Sequence, residues 1–486
     1  MSNELWETGV KNLAIPTILI KFMKRFKFKI SNLTEDCNSA KEAGSPILEG
    51  TAIKLPRQNS IRACISLLSR QTTRTGVITL ADQVVASTTN FLTGVIIGRA
   101  CTKEQFGLFM LGFSIATFLL NLQDTLISTP YTVYSPRLND SAHTQFTGST
   151  LIHQLVLSGL SILALVAGGV AVSSGIGPPR LGPIMWALVG TITFIMLRNF
   201  VRRLCFAGLR MKTALVFDCY IAIIQIGGLF LLACVGFLSP SRAYCVIGIA
   251  CGSVVLGWLI SNRKAFVLRL NQAIPDFKRN WSLGKWVLAE SLLSAGSLYI
   301  YPWIVAGFHG VVSAGVWAAC IAIASIGNPL LFALFNFLGP QIAHGYAQGG
   351  AMALRRLVFR ASGVSCIIMI PFCVVPLIFG GQLVVLFYGN KYAGNGVVVS
   401  ILALSLLATA LGLSCSAALI AMERADVGFK VNLVVICVFL TFGVWLVHLL
   451  GLLGAAYALL IANTASSAAR IAAFTILVRP HPGRLL

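Results

Sequence analysis

The sequence predicts an all-α membrane protein with about twelve spanning helices. Three observations carry that expectation. The chain has 486 residues, of which 57% are hydrophobic and only 11% charged. Its mean hydropathy is +0.84. Soluble domains carry about 25% charged residues, so lipid must serve as part of the solvent. From Val77 onward, apolar segments recur at the length of about 20 residues that a helix needs to cross a bilayer. Finally, Lys and Arg cluster in every second connection, as the rule that orients membrane helices requires.

In chain order, residues 1–75 come first as a polar, basic extension expected to be disordered and cytoplasmic. They hold twelve Lys and Arg and six Asp and Glu. Their one apolar piece, Leu13–Ile20, is too short to span and is broken by Pro16. Basic and aromatic residues interleave from Lys21 to Lys29, a pattern that suits an anionic lipid surface and also occurs in plain solvated tails. The expected spans are 77–98, 106–127, 149–173, 183–201, 214–238 and 241–261, then 286–308, 312–338, 359–380, 396–422, 430–450 and 452–476. The first is the most polar, because it carries Asp82, Gln83 and a Thr/Asn cluster. Residues 76–261 and 286–478 thus form two six-helix lobes. They are joined by a basic linker, 262–285, and followed by a short tail, 479–486.

The loops set the orientation. Connections on the leader's side, together with the C-terminal end, hold 20 cations, whereas the opposite side has Arg99, Lys103, Arg180, Arg242 and Lys391. That asymmetry places both termini in the cytoplasm of a plasma (inner) membrane protein.

The two halves also repeat one another weakly. Leu80-Ala81-Asp82 opens the first span and Leu288-Ala289-Glu290 the seventh. Gly107 begins the second span and Gly315 the eighth. Pro130 and Pro340 close that pair. Six helices per half relate the halves by an axis along the membrane normal and leave a cavity between them, an architecture suited to alternating access.

Several functions are excluded or disfavoured. The net charge of +22 follows from cationic loops rather than from nucleic-acid binding. Thirteen cysteines, most of them inside apolar runs, form no CxxC pair, so neither a disulfide framework nor a zinc site is expected. No HExxH and no GxxxxGK[ST] occurs. The loops on the far side are short and carry few titratable groups (Glu104, Lys391 and His309), which disfavours a membrane-bound glycan polymerase, ligase or acyltransferase. A non-enzymatic transporter is the expectation.

One stretch is more specific. The run from Ala81 to Arg99, Ala81-Asp82-Gln83-Val84-Val85-Ala86-Ser87-Thr88-Thr89-Asn90 and onward, is followed by Glu104-Gln105-Phe106-Gly107-Leu108-Phe109. It resembles the opening of polysaccharide-type flippases (the O-antigen flippase-like branch of lipopolysaccharide assembly) in the multidrug/oligosaccharidyl-lipid/polysaccharide exporter superfamily. That resemblance implies a two-lobed, MATE/flippase-like transporter that moves a polyprenyl diphosphate-linked oligosaccharide to the outer leaflet. Its partners would be that substrate, membrane lipids and glycan-assembly proteins. The long leader departs from the family's usual start. The resemblance implies no cofactor beyond a coupling ion, Na+ or H+. A cation-coupled multidrug exporter of the same superfamily is the alternative.

The candidate residues follow from chemistry and from this resemblance together. Asp82, Asp124, Asp218 and Glu290 are acids within spans, and an intramembrane ionisable group is a functional candidate. In cation-coupled relatives, acids on the first and seventh helices serve coupling, and Asp82 and Glu290 match those helices. Asp82, Asp218 and Glu290 also lie in first turns, where the helix dipole alone favours an anion. Arg198, Arg202 and Arg203 crowd the cytoplasmic end of the fourth span, and Arg99 ends the first span on the far side. They are candidates for holding the diphosphate, or for simple positive-inside anchoring and snorkelling. His153 and His448 read as hydrogen-bonded packing groups.

Overall fold

A computed structural model describes residues 58–478 except 264, 265 and 423. The side chains of residues 58–76 and of a few others, Glu290 among them, lie outside the described ones. Among the described residues the chain is helical throughout, with no strand. In lipid this follows from hydrogen bonding, because a helix satisfies its backbone groups within one segment.

The first half contains α1 (Gln58–Ala100), α2 (Lys103–Tyr134), α3 (Asp140–Ser173), α4 (Gly182–Ala207), α5 (Met211–Cys234) and α6 (Pro240–Ser261). Helix α1 reaches back to Gln58, into the segment expected to be disordered. No Pro or Gly lies between Pro56 and Gly76 to stop it. The rest of the leader, including Lys21–Lys29, lies outside the described residues. Helix α2 starts on a capping box in which Thr102 and Gln105 satisfy each other's backbone N–H groups.

In the second half, three of the connections between helices are single glycines at positive φ rather than loops. The helix Leu270–Ala324 breaks at Gly310 (φ 79°), Asn328–Tyr388 at Gly350 (φ 60°) and Val444–Leu477 at Gly451 (φ 58°). Each break is a hairpin. At 1.5 Å per residue, Tyr301 and Trp317 would stand about 24 Å apart on one straight helix, yet their rings stack at 5.6 Å. A Cβ on Gly345 would lie 2.7 Å from Leu357, and one on Gly443 3.5 Å from Ala458 Cβ. The segments are therefore α7 (270–309), α8 (311–349), α9 (351–388), α10 (Gly396–Ala421), α11 (425–450) and α12 (452–477). Among the described residues, ten helices are long and apolar enough to cross a membrane, and two of these, Tyr299–Phe335 and Asp426–Leu477, contain a hairpin break. Divided at these breaks, the described residues form twelve helical segments, the number the sequence predicts, and the protein is a multi-pass membrane protein.

The stretch read as a linker, 262–285, is helical from Leu270 onward. It packs on the first half. His153 Nε2 lies 2.8 Å from the Ala273 carbonyl, and Arg279 stacks over Tyr134 at 4.2 Å. Leu270, Ile274, Phe277 and Trp281, spaced by four, three and four, stay exposed beside Arg269 and Lys278. Such an apolar stripe with basic flanks suits the headgroup region of a bilayer.

Sequence repetition becomes geometry where α2 meets α8. A Cβ on Gly107 would collide with the Val311 carbonyl and stand 3.0 Å from the Gly315 nitrogen. One on Gly315 would collide with the Lys103 carbonyl and stand 2.9 Å from the Gly107 nitrogen. Positions 103 and 107 meet positions 311 and 315 reciprocally, as residues do across a two-fold axis. The glycines let the two backbones touch. The pseudo-symmetry axis of the two six-helix lobes passes through this contact.

Candidate functional site

Polar side chains concentrate in three places. The first is the end of the helices rich in basic loops. On α4, Arg198 and Arg202 are four residues apart and share one face, while Asn199 and Arg203 share the next. The first pair reaches Asp82, near the middle of α1, and Asp218, in the third turn of α5, so neither acid lies in the first turn expected from the sequence. Arg202 lies 2.5 Å from Asp82 and 2.9 Å from Asp218, and Arg198 lies 2.6 Å from Asp218. Asp82 and Asp218 are buried, and Arg202 has a side chain 19% exposed. Two guanidinium groups and two carboxylates thus form an alternating quartet with no net charge. A carboxylate buried without its partner would be strongly destabilising. Above the quartet, the seam between α5 and α1 stays polar, with Gln225 donating to Thr93 at 2.8 Å.

The second face of α4 meets α2. Asp124 begins a π-helical turn, Asp124–Ser128, a departure that often marks functional sites. It accepts from Asn199 at 2.9 Å and from Arg203 at 3.0 Å. This pair is open to solvent, with the Arg203 side chain 44% exposed.

The second place is the opposite end, where two cations exchange partners across the lobes. Arg99, in the last turn of α1, donates to the Phe387 carbonyl at 2.7 Å and to that of Leu386, the last carbonyls of α9. Lys391, just past α9, donates to the carbonyls of Arg99 (3.0 Å) and Cys101 (2.5 Å), at the end of α1. Each cation meets the negative end of the other helix. Beneath them the Tyr388 ring lies against Gly98, so closely that a Cβ there would stand 2.5 Å from it. Tyr388 and Tyr392 pack on Phe106 at 5.7 and 6.4 Å. Burial raises the Cys101 thiol pKa above its ordinary value and lowers that of the Lys391 amine.

The third place lies inside the second half. Residues of α7, α10, α11 and α12 line a cavity of about 180 Å³: Tyr301, Thr409, Asn432, Asn463, Ser466 and Arg470 supply its polar wall. Arg470 donates to Ser416 at 2.9 Å and to Asn432 at 3.1 Å.

The structure therefore brings together Arg198, Arg202, Asp82 and Asp218 in one cluster and Arg203 with Asp124 in its neighbour. It places Arg99 at the far end, against backbone carbonyls. Glu290 sits on α7, and its side chain lies outside the described residues. Sequence reading passed over Lys391 as a loop cation and Arg470 as a tail cation. Arg470 was detectable, because it falls within the last expected span, where a charge is costly. The pairing of Lys391 had no sequence signal.

Residues 73–344 match the profile of a family described as polysaccharide biosynthesis protein. The chain belongs to that family. A capsular polysaccharide biosynthesis protein, CapF of Staphylococcus aureus, is 22% identical over 211 residues, 43% of this chain and 53% of the relative. The chain thus spans about half the length of that curated relative. Among solved structures, an inward-facing multidrug resistance MATE family transporter of the MOP superfamily superposes with a TM-score of 0.68 at 14% identity, covering 83% of this chain and 98% of that one. A MOP superfamily transporter from Pyrococcus furiosus, described as having a binding pocket of reversed polarity, gives 0.60 at 14% identity over 84% and 95%. At such identities the likeness is one of fold.

Proposed function

We propose that this protein flips a polyprenyl diphosphate-linked oligosaccharide from the cytoplasmic to the outer leaflet of the plasma membrane by alternating access, without chemical catalysis, and with both termini in the cytoplasm. The family supports a role in polysaccharide assembly. The observation that carries the transport mechanism is the asymmetry of the lobe interface. The end bearing Arg99 and Lys391 ties the lobes together and is close-packed beneath these two cations, while at the other end Arg203 and Asp124 stand open to solvent beside the buried quartet. A carrier that opens to one side at a time needs such a seal, and a polar headgroup crossing hydrocarbon needs such a lined path.

Within the basic end, Arg203 is the group we assign to the diphosphate. Its carboxylate partner is solvent-open, and a bidentate phosphate can replace it. Arg198 and Arg202 hold the buried carboxylates, so the quartet serves as a structural and coupling element. Protonation of Asp82 would break its pair with Arg202, which makes H+ the coupling ion this geometry favours over Na+. The pairing of Asp82 and Asp218 with arginines also weighs against a multidrug exporter that binds cationic drugs there.

The test is deletion of the gene in a strain without a redundant transporter. Surface glycan and the leaflet location of lipid-linked intermediates are then followed with a membrane-impermeant glycan probe. Loss of surface glycan, with complete intermediates held on the cytoplasmic side, is expected. Normal arrival of those intermediates at the outer leaflet would reject the reading.

A further inference from the structure

The cavity inside the second half is used neither by the latch nor by the charged quartet. Its wall holds hydrogen-bonding capacity that the protein leaves unspent. The Tyr301 residue is 1% exposed, and its hydroxyl has no hydrogen-bond partner among the described residues. A buried hydroxyl in that state is destabilising until a partner is supplied. Asn432 accepts from Arg470 through its amide oxygen, which leaves its NH2 group available. Asn463 donates its NH2 to Ser405 at 2.6 Å, which leaves its oxygen available. Ser466 and Thr409 add hydroxyls, and Val435 and Leu459 add apolar wall. Phe439, also in the wall, starts the π-helical turn Phe439–Gly443, a second departure of the kind that recurs at functional sites.

We propose that this cavity binds a single sugar ring of the transported headgroup, an inference that rests on the flippase reading. Each sugar hydroxyl donates one hydrogen bond and accepts others. The wall offers a matching set: a donor at Asn432, acceptors at Asn463 and at Thr409, whose own proton goes to the Ser405 carbonyl, and hydroxyls that serve either way at Tyr301 and Ser466. The carbon face of a ring suits Val435, Leu459 and Phe439. The cavity is small, about 180 Å³, as a site for one ring requires. No carboxylate is among the described residues of the wall, which disfavours a bare metal cation as the occupant.

The test uses the full chain in lipid nanodiscs, titrated with the methyl glycosides of glucose, N-acetylglucosamine and glucuronic acid. The readout is intrinsic fluorescence, with a Trp317→Phe control, because Trp317 stacks on Tyr301 at 5.6 Å. A saturable change lost in that control is expected with at least one glycoside. Tyr301→Phe and Asn463→Leu should each raise the half-saturating concentration about two- to tenfold, the loss of one neutral hydrogen bond. No saturable response to any glycoside, or a response unmoved by both variants, overturns the proposal. So does a response to phosphate or sodium ion alone. Flipping of a lipid-linked glycan by the same preparation is measured in parallel. Flipping without glycoside binding removes this inference and leaves the flippase reading standing. Glycoside binding without flipping supports the cavity and removes the flippase reading.

Discussion

The interiors of the two halves differ in how they pay the cost of polarity inside a membrane. In the first half, α1, α4 and α5 close around full charges, Asp82, Arg198, Arg202 and Asp218, which neutralise one another at 2.5–2.9 Å. In the second half, α7, α10, α11 and α12 leave a cavity whose wall combines amides and hydroxyls with apolar side chains and a single guanidinium, Arg470, among the described residues. Charges must be paired in place, because an uncompensated one is intolerable in low dielectric. Neutral amides and hydroxyls cost less when unpaired and can wait for a ligand. The first half is built as a fixed electrostatic joint and the second as a receptive one, although both descend from one six-helix plan.

The largest expected effect comes from breaking the joint. Arg202→Gln removes the cation shared by two buried carboxylates and should lower stability by about 3–5 kcal/mol. Thermal unfolding in detergent reads this, and adding Asp82→Asn should recover part of the loss. Full stability of the single variant would show that the quartet is not a joint. Next comes the axis. Gly315→Val puts a branched side chain against the Lys103 carbonyl and should hold the lobes apart at the latched end. Paired spin labels on α2 and α8 would record a longer distance, and an unchanged distance would displace the axis from this contact.

A smaller effect is expected from the latch itself. Arg99→Gln with Lys391→Gln removes two cation contacts to helix ends, each worth about 0.3–1 kcal/mol. Cys101 is a built-in reporter, since it is buried and its thiol pKa is raised. A raised pKa means less thiolate at a given pH and slow alkylation. In a background retaining only Cys101, the double variant should alkylate several-fold faster at mildly alkaline pH as the thiol reaches water, because relief of burial, the larger cause, outweighs the loss of the Lys391 charge that lowers the pKa. An unchanged rate would mean that aromatic packing alone seals this end. The smallest effect on stability belongs to Arg203→Gln. Its solvent-open pair is worth about 0–1 kcal/mol, so melting should barely move while flipping falls. Unimpaired flipping would remove Arg203 from the substrate path.

Composition and hydropathy were enough to determine the membrane class, the helix count and the placement of nearly every span, because the bilayer allows one solution for a long apolar segment. The weak repeat was legible too: Gly107 and Gly315, paired in sequence, prove to be paired in space. What sequence could not decide is which charges face each other. Asp82, Arg202 and Asp218 lie on three helices and meet only because α1, α4 and α5 pack side by side. Arg99 reads in sequence as a cation at the far end of the first span, and the fold turns it to carbonyls 287 and 288 positions away. The cavity beside Tyr301 has no sequence signature, since isolated Asn, Ser and Thr residues in spans look the same whether they bond within their own helix or face a shared void. Local pattern fixes where a helix runs, because backbone hydrogen bonding is local. Pairing and voids depend on the rotation of each helix against its neighbours, which only tertiary packing decides.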